Sequence, residues 1–349
     1  MSDYFTLKVK DVIQETEDAV TIQFKQPIFN KIKYESGQFL TVIIPINGEK
    51  IRRSYSMSST PNLDSHIAVT VKRVKDGLIS NYLNETLKKG NSMELMKPMG
   101  NFTLPVDKKA ERHIILFGGG SGITPLMSIL RSILFFEPNS KVSLVYANQD
   151  EQSIIFKDKL VELQEKFSDR FTVVHILETP QQIWQGYKGR ADQPMLTNII
   201  NLLPKYDPTK TEHYICGPTG MMEVVKESLK SIRIKPDKIH IESFVSTAPT
   251  PQVDTSGLQS HEVTIILNGT EHKVTVPPNK TILDAGLDDG LDMPFSCQSG
   301  LCTACMGKCT SGEIKMSSND ALSNDELEEG FRLLCVGHPT GEGVVVEVD

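Results

Sequence analysis

Along residues 1–107 apolar and polar positions alternate in short runs: FTLKVKDV, AVTIQF, FLTVII and IAVTVKRV. A period of two turns one face of each run toward a core. These runs therefore predict antiparallel strands joined by turns, forming a barrel or sandwich. From Arg112 the pattern changes. HIILF, VSLVY, FTVVHIL and HYIC are compact apolar runs, separated by helical stretches such as PLMSILRSILFF and SIIFKDKLVELQEKF. Strand–helix alternation predicts a parallel α/β sheet. Ser246–Ser260, STAPTPQVDTSGLQS, is rich in Pro, Ser and Thr and holds one charge. Such a segment predicts a flexible linker with a root-mean-square span of roughly 20 Å. Beyond it, HEVTIILNG and HKVTVPP predict a hairpin about Asn268-Gly269. TILDAGLDDG predicts a short helix, and Ser323 with Glu326 a capping box opening another. The expected domains are 1–107, 108–246 and 261–349, with 247–260 as the linker.

Composition is that of a globular chain: 39% hydrophobic and 23% charged residues over 349. The N-terminus shows no basic region followed by an apolar one, so no secretory signal is expected. The longest apolar stretch, Ser128–Phe136, is broken by Arg131 and falls far short of the ~18 residues that span a bilayer. A cytoplasmic protein without membrane insertion is expected. That compartment disfavours structural disulfides, so clustered cysteines point to metal. Charge is uneven within the net −7. Residues 261–349 hold 15 acidic and 5 basic side chains, a net of −10, while the rest holds 29 and 32, a net of +3. An acidic segment argues against nucleic acid, and suggests either a solvated surface or steering toward a basic protein partner.

Four of the six cysteines lie in LDMPFSCQSGLCTACMGKC. The spacing is Cys297-x4-Cys302-x2-Cys305, then 29 residues to Cys335. This is the plant-type [2Fe–2S] spacing. Two bridged irons need four thiolates: three from one tight loop, the fourth from elsewhere. Gly300 permits close approach of the backbone to the inorganic sulfides. Two alternatives stand beside this. Cys302-x2-Cys305-x3-Cys309 partly matches the bacterial ferredoxin run, but Thr310 occupies the place of its Pro. Zinc also takes four thiolates, although zinc ribbons usually pair two C-x2-C knuckles and this chain has one. The expected ligands are Cys297, Cys302, Cys305 and Cys335, with Cys309 as a small buried residue on the strand leaving the loop. In its hairpin, its LDAG helix, its cysteine loop and the distant Cys335, residues 261–349 resemble a plant-type ferredoxin domain of β-grasp fold. Gln298 departs from that family, many of whose members carry a basic residue there.

Upstream, Arg52-Arg53-Ser54-Tyr55-Ser56 combines a cation, an aromatic ring and hydroxyls on one strand. These are the groups that neutralise a phosphate, stack on a flat heterocycle and hydrogen-bond it; alone, the run is as well explained as a surface strand. Gly77-Leu78-Ile79-Ser80 opens a helical stretch, where backbone N–H groups favour an anion. Gly118-Gly119-Gly120-Ser121-Gly122-Ile123-Thr124-Pro125 follows the strand HIILF and opens a helix. Its glycines permit a tight turn and close approach to a pyrophosphate. Pro125 suits a first helical turn, and Thr124 is the expected cap. Cys216-Gly217-Pro218 follows the strand HYI; by itself it reads equally as a core cysteine before a turn.

In this order the four motifs resemble the ferredoxin–NADP reductase superfamily over roughly residues 5–246. The resemblance implies a flavin-binding antiparallel barrel followed by a nicotinamide-binding α/β domain. It implies that Arg53 holds the flavin pyrophosphate beside Ser54, that Tyr55 stacks on the isoalloxazine, and that Ser56 hydrogen-bonds near flavin N5. Gly77, Ile79 and Ser80 would bind the pyrophosphate. Gly119, Gly120, Ser121, Gly122 and Thr124 would bind NAD(P)H. Cys216, with Gly217 and Pro218, would lie beside the nicotinamide, and Glu242 and Phe244 would border the flavin. Ser56, Cys216 and Glu242 are the expected catalytic residues. FAD is expected over FMN. SIIFKDKLVEL, CGPTGMM and KIHIESF are similar to the phenylacetyl-CoA epoxidase reductase subfamily. That likeness implies electron flow from NAD(P)H through FAD and [2Fe–2S] to an oxygenase, most often of di-iron type, docking on the acidic domain. Ketosteroid hydroxylases, fatty-acid desaturases and a hybrid-cluster protein are alternative acceptors, and a redox-sensing interaction module is the non-enzyme alternative. After the second α/β strand stand Asn148, Gln149 and Asp150, with no arginine to clamp a 2′-phosphate. This favours NADH, although Arg190 could compensate.

Overall fold

The computed structural model describes residues 4–46, 49–244, 259–295, 297–298, 300, 302–319 and 321–348. They form two compact units: residues 1–51 with 55–244, and 52–54 with 245–349. Most of the expected linker, 247–258, lies outside the described residues.

Apart from residues 52–54 of β4, which group with the second unit, the first unit begins with six antiparallel strands: β1 (Tyr4–Thr16), β2 (Ala19–Lys25), β3 (Phe39–Ile46), β4 (Glu49–Ser56), β5 (His66–Lys72) and β6 (Ser92–Met96). Their order is β4-β3-β6-β1-β2-β5. An isolated antiparallel bridge between Met57, one residue past β4, and Val69 of β5 joins the two edges and closes the barrel. Val9, Ile22, Phe24, Val42, Val69 and Leu95 fill it. Helix α1 (Leu78–Thr86) follows β5 and buries Ile79 and Leu83, an i,i+4 pair.

The α/β layer comprises β7 (His113–Gly119), α2 (Ile123–Phe136), β8 (Lys141–Asn148), α3 (Lys157–Lys166), β9 (Phe171–Leu177), β10 (Tyr187–Lys188), α4 (Gln193–Leu202), β11 (Thr211–Cys216), α5 (Thr219–Ser231) and β12 (Ile239–Glu242). All six strands run parallel in the order β10-β9-β8-β7-β11-β12. The chain winds outward from β7 through β8 and β9, then returns to the other side of β7 at β11. The switch point of this sheet lies between β7 and β11, and open parallel sheets bind ligands at the carboxyl ends of such strands.

Packing does not break at residue 107. Ala19, Phe102 and Leu104 share one core with α2, β7 and Tyr214. Helix α2 is buried nearly all round because its second face lies on the barrel. There Arg131, which interrupts the apolar pattern, forks onto Asp64 through Nη1 (2.7 Å) and Nη2 (2.8 Å). Ser128 donates to the Ser59 carbonyl (2.6 Å), and Ser132 meets Ser36. Burial acts to raise the Asp64 pKa, but the Arg131 hydrogen bonds and the Thr60 N–H outweigh it and hold that carboxyl below its ordinary value.

The second unit contains β13 (His261–Leu267), β14 (Thr270–Val276), α6 (Ile282–Asp288), β15 (Met306–Ser311), β16 (Ile314–Met316), α7 (Asn324–Glu328), β17 (Phe331–Leu333), β18 (Gly337–Pro339) and β19 (Val344–Val348). The main sheet is β14-β13-β19-β15-β17. The expected hairpin is present, with Leu267 facing Thr270 and with Asn268 and Gly269 both at positive φ (49° and 78°). Capping boxes open both helices: Thr281 with Asp284 on α6, and Ser323 with Glu326 on α7. The β13–β19 pair is parallel and the rest of this sheet antiparallel, which makes a β-grasp arrangement around Val263, Ile265, Leu333 and Val346.

Candidate functional site

Three residues expected from sequence to act together converge in the first unit. Ser56 ends β4 and is buried; its Oγ donates to Glu242 Oε2 at 3.2 Å. Glu242 ends β12 and stands opposite Cys216, which ends β11, in the parallel ladder. Part of the Glu242 surface stays open, but its carboxyl is crowded by protein. Burial pushes its pKa up to about 8, and the Ser56 hydrogen bond works against that rise. Burial, and then the charge of Glu242, push the Cys216 thiol well up. Near neutral pH the cluster is thus a protonated acid, a hydroxyl and a neutral thiol at the carboxyl ends of two strands beside the switch point.

The glycines of the nucleotide turn serve packing as much as ligand approach. A Cβ on Gly122 would lie 2.1 Å from the Cys216 carbonyl oxygen, and one on Gly217 would lie 2.9 Å from the Gly119 nitrogen. One on Gly119 would meet Met221 Sδ and Pro218 Cδ at 2.7 Å. The turns after β7 and β11 are therefore locked back to back. Only Gly120, at φ +52°, faces open space. Tyr146 props this turn by donating to the Gly120 carbonyl (2.9 Å). Residues 120–122 form a 3₁₀ turn before α2, whose N-cap is Gly122. Thr124 is not the cap expected from sequence. It sits inside the helix, and its hydroxyl donates back to the Ser121 carbonyl (3.0 Å).

Gly77 is the N-cap of α1 and offers no side chain to its amides. Ser80 Oγ accepts from the Val74 N–H (3.0 Å) and donates to the Gly77 carbonyl (3.3 Å). Its hydroxyl shapes the turn, which leaves the first-turn amides of Leu78 and Ile79 as anion donors. Arg53 is exposed on β4, with Nη1 donating to the Arg52 carbonyl (2.7 Å). Ser54 is half-buried, and Tyr55 half-buried against the barrel core. Phe244 is 42% exposed. Within the first unit, the uncapped start of α1 and the Tyr55 ring fit a flavin and its phosphates.

In the second unit Cys302 Sγ lies 3.2 Å from Cys297 Sγ. Cys335, just past β17, is within hydrogen-bonding range of both Cys297 and Cys305. These thiols, together with burial, push the pKa of Cys335 strongly upward, as Cys297 and burial do for Cys302. Gly300 adopts φ +75°, and a Cβ there would press on Ser318 and Val336 at 3.2–3.3 Å. Gln298 is left-handed too, at φ 54°. Four thiols drawn together in this way fit a four-thiolate metal group. Cys309 differs from expectation. It is half-buried, not buried: it pairs with the core residue Val346 across β15 and β19 and packs at the edge of that core, with its Sγ toward the Ser311 carbonyl (3.3 Å).

Sequence reasoning missed the Arg131–Asp64 fork and an acid beside the nucleotide strands. Glu178 follows β9 directly, its N–H donating to the Asn148 carbonyl (3.0 Å), and its carboxylate accepts from Arg190 Nε (2.7 Å). An arginine inside an apolar helix signalled the first; nothing local signalled the second.

Three stretches of the chain match known domain families. Residues 6–104 match the oxidoreductase FAD-binding domain, 116–227 the oxidoreductase NAD-binding domain, and 265–340 the 2Fe-2S iron-sulfur cluster binding domain. The ferredoxin reductase component of 3-ketosteroid-9-alpha-monooxygenase from Mycolicibacterium smegmatis is 36% identical across 100% of this chain and 98% of its own. A component of the 1,2-phenylacetyl-CoA epoxidase from Escherichia coli is 33% identical across 100% and 99%. Among solved structures, phthalate dioxygenase reductase superposes with a TM-score of 0.61 at 25% identity, covering 99% of this chain and 98% of that one. The chain belongs to the ferredoxin–NADP reductase superfamily, in the group that carries a C-terminal [2Fe–2S] domain. It is an oxidoreductase with FAD, nicotinamide nucleotide and [2Fe–2S] as its redox groups, a reductase component of an oxygenase system. Among the described residues no helix is long and apolar enough to cross a membrane.

Proposed function

We propose that the protein takes a hydride from NADH and delivers electrons singly, through FAD and the cluster, to the oxygenase component of a phenylacetyl-CoA epoxidase-type system. The carrying observation is the Ser56–Glu242–Cys216 cluster in the same chain as a four-cysteine nest. The bound cofactors supply hydride acceptance and one-electron transfer. The chain's own residues do the rest. Cys216, uncharged, packs beside the nicotinamide without attacking it. Glu242 holds a proton at neutral pH, and Ser56 bridges it to the flavin edge. The Leu78 and Ile79 amides with Arg53 hold the flavin phosphates, and Gly120 with Ser121 admits the nucleotide's pyrophosphate. Cys297, Cys302, Cys305 and Cys335 ligate the irons. The ketosteroid type is a second reading, favoured by the 36% identity. Reconstitution with each purified oxygenase component decides the partner: coupled product with the ketosteroid enzyme and none with the epoxidase would overturn the first reading.

NADH as donor rests on Glu178. A carboxylate after a nucleotide-domain strand accepts from a ribose 2′-hydroxyl and repels a 2′-phosphate, and here it also engages Arg190. Glu178→Ala should free Arg190 and raise kcat/KM for NADPH about ten-fold relative to NADH. An unchanged ratio would sink this assignment.

A further inference from the structure

One surface feature has no part in the redox path. Between β2 and β3 the chain presents Ile28 and Phe29 at 86% and 84% exposure, the highest values among the large apolar side chains of the described residues. They sit on a built loop. Gln26 closes it with two hydrogen bonds to one residue, Nε2 donating to the Ile32 carbonyl and Oε1 accepting from the Ile32 N–H, both at 3.2 Å. Residues 27–31 are thus held out as a tip. Exposed Lys25, Lys31 and Lys33 ring it, and no acidic residue occurs from Lys25 to Tyr34.

We propose that this prong seats the protein on an anionic bilayer surface, with Ile28 and Phe29 entering the headgroup–acyl boundary and the three lysines facing lipid phosphates. The charge selects an anionic occupant, since clustered lysines beside apolar side chains gain from both contacts at such a surface. The shape selects a bilayer over a protein. A five-residue convex tip offers far less than the ~800 Å² per partner of a stable protein interface, whereas a bilayer closes around it. Neither contact needs a spanning helix. Position along β5 also separates the prong from the flavin-phosphate turn. Lys25 pairs with His66 at the start of β5, while the flavin-phosphate turn follows Lys72 at its end. A strand of that length sets them roughly 20 Å apart.

The test is flotation of the full-length holoprotein with vesicles of phosphatidylcholine alone or mixed with phosphatidylglycerol. At low salt the protein should float with the mixed vesicles and not with pure phosphatidylcholine. Ile28→Ser with Phe29→Ser should lower vesicle partitioning at least about ten-fold, and Lys25→Glu with Lys31→Glu should abolish the preference for anionic lipid. NADH-driven ferricyanide reduction should be unchanged in all variants. No binding to mixed vesicles, equal binding to both compositions, or full binding by the serine variant would each overturn the proposal. Capture of an acidic protein through the prong without vesicle binding would overturn it too, and reassign the surface to a protein partner.

Discussion

Glu242 is where the site's electrostatics make the sharpest prediction. Its carboxyl is displaced from 4.5 to about 8. At ~1.4 kcal/mol per pKa unit the displacement corresponds to about 5 kcal/mol between the two protonation states. The residue is partly exposed, which brings the expected figure to about 2–4 kcal/mol. The sign follows from proton counting. Between pH 4.5 and about 8 the folded protein keeps the proton and the unfolded chain loses it, so the unfolded state binds fewer protons. Stability therefore declines as pH rises through that window and levels outside it. Glu242→Gln keeps the shape and removes the titration. Its advantage over the parent should be nil below pH 4.5 and should grow to the full figure near pH 8. Trp184 is the only tryptophan and lies in the first unit, so its fluorescence in urea reports that unit's unfolding. Ser56→Ala removes a hydrogen bond that favours the ionised carboxylate, and should extend the declining window upward by about one pH unit. Parallel stability profiles of Glu242→Gln and parent from pH 5 to pH 8 would refute the reasoning.

Other substitutions test the remaining parts. Cys335→Ser should abolish iron content and the visible absorbance of the cluster while Cys309→Ser keeps both; the reverse result would exchange their roles. Gly122→Ala places a methyl 2.1 Å from the Cys216 carbonyl oxygen, against the 3.4 Å or more of an ordinary contact. Both turns must part by more than 1 Å, so NADH affinity should fall at least about ten-fold with flavin content retained, as read by calorimetry and flavin absorbance. Asp64→Ala strands the Arg131 guanidinium between barrel and helix and should cost about 3–5 kcal/mol in the Trp184 unfolding assay. If the acidic second unit docks electrostatically on a basic partner, electron delivery to a purified oxygenase should slow steeply with added salt, and a flat response would remove charge steering from the account.

Much of this protein was determined by sequence alone. Period-two runs set the barrel strands, apolar runs alternating with helical stretches set the parallel sheet, and Asn268-Gly269 with two capping boxes set the turns of the last unit. These are local signals, since side-chain period and turn chemistry act within a few residues. Cysteine spacing marked the nest for the same reason. Tertiary structure decided the rest. Thr124 was expected to cap α2, but where two glycine turns lock together the cap falls at Gly122, two residues earlier, and the helix starts at Ile123. Cys309 faces the core opposite Val346 but stays half-buried at its edge. The burial that protonates Glu242 comes from β4, β11 and β12, segments as much as 186 residues apart. Glu178 gained its meaning from standing beside Asn148 at the sheet's carboxyl edge. Hydrogen bonding and desolvation act through space, and distance along the chain does not reveal which charges will meet or which water will be excluded.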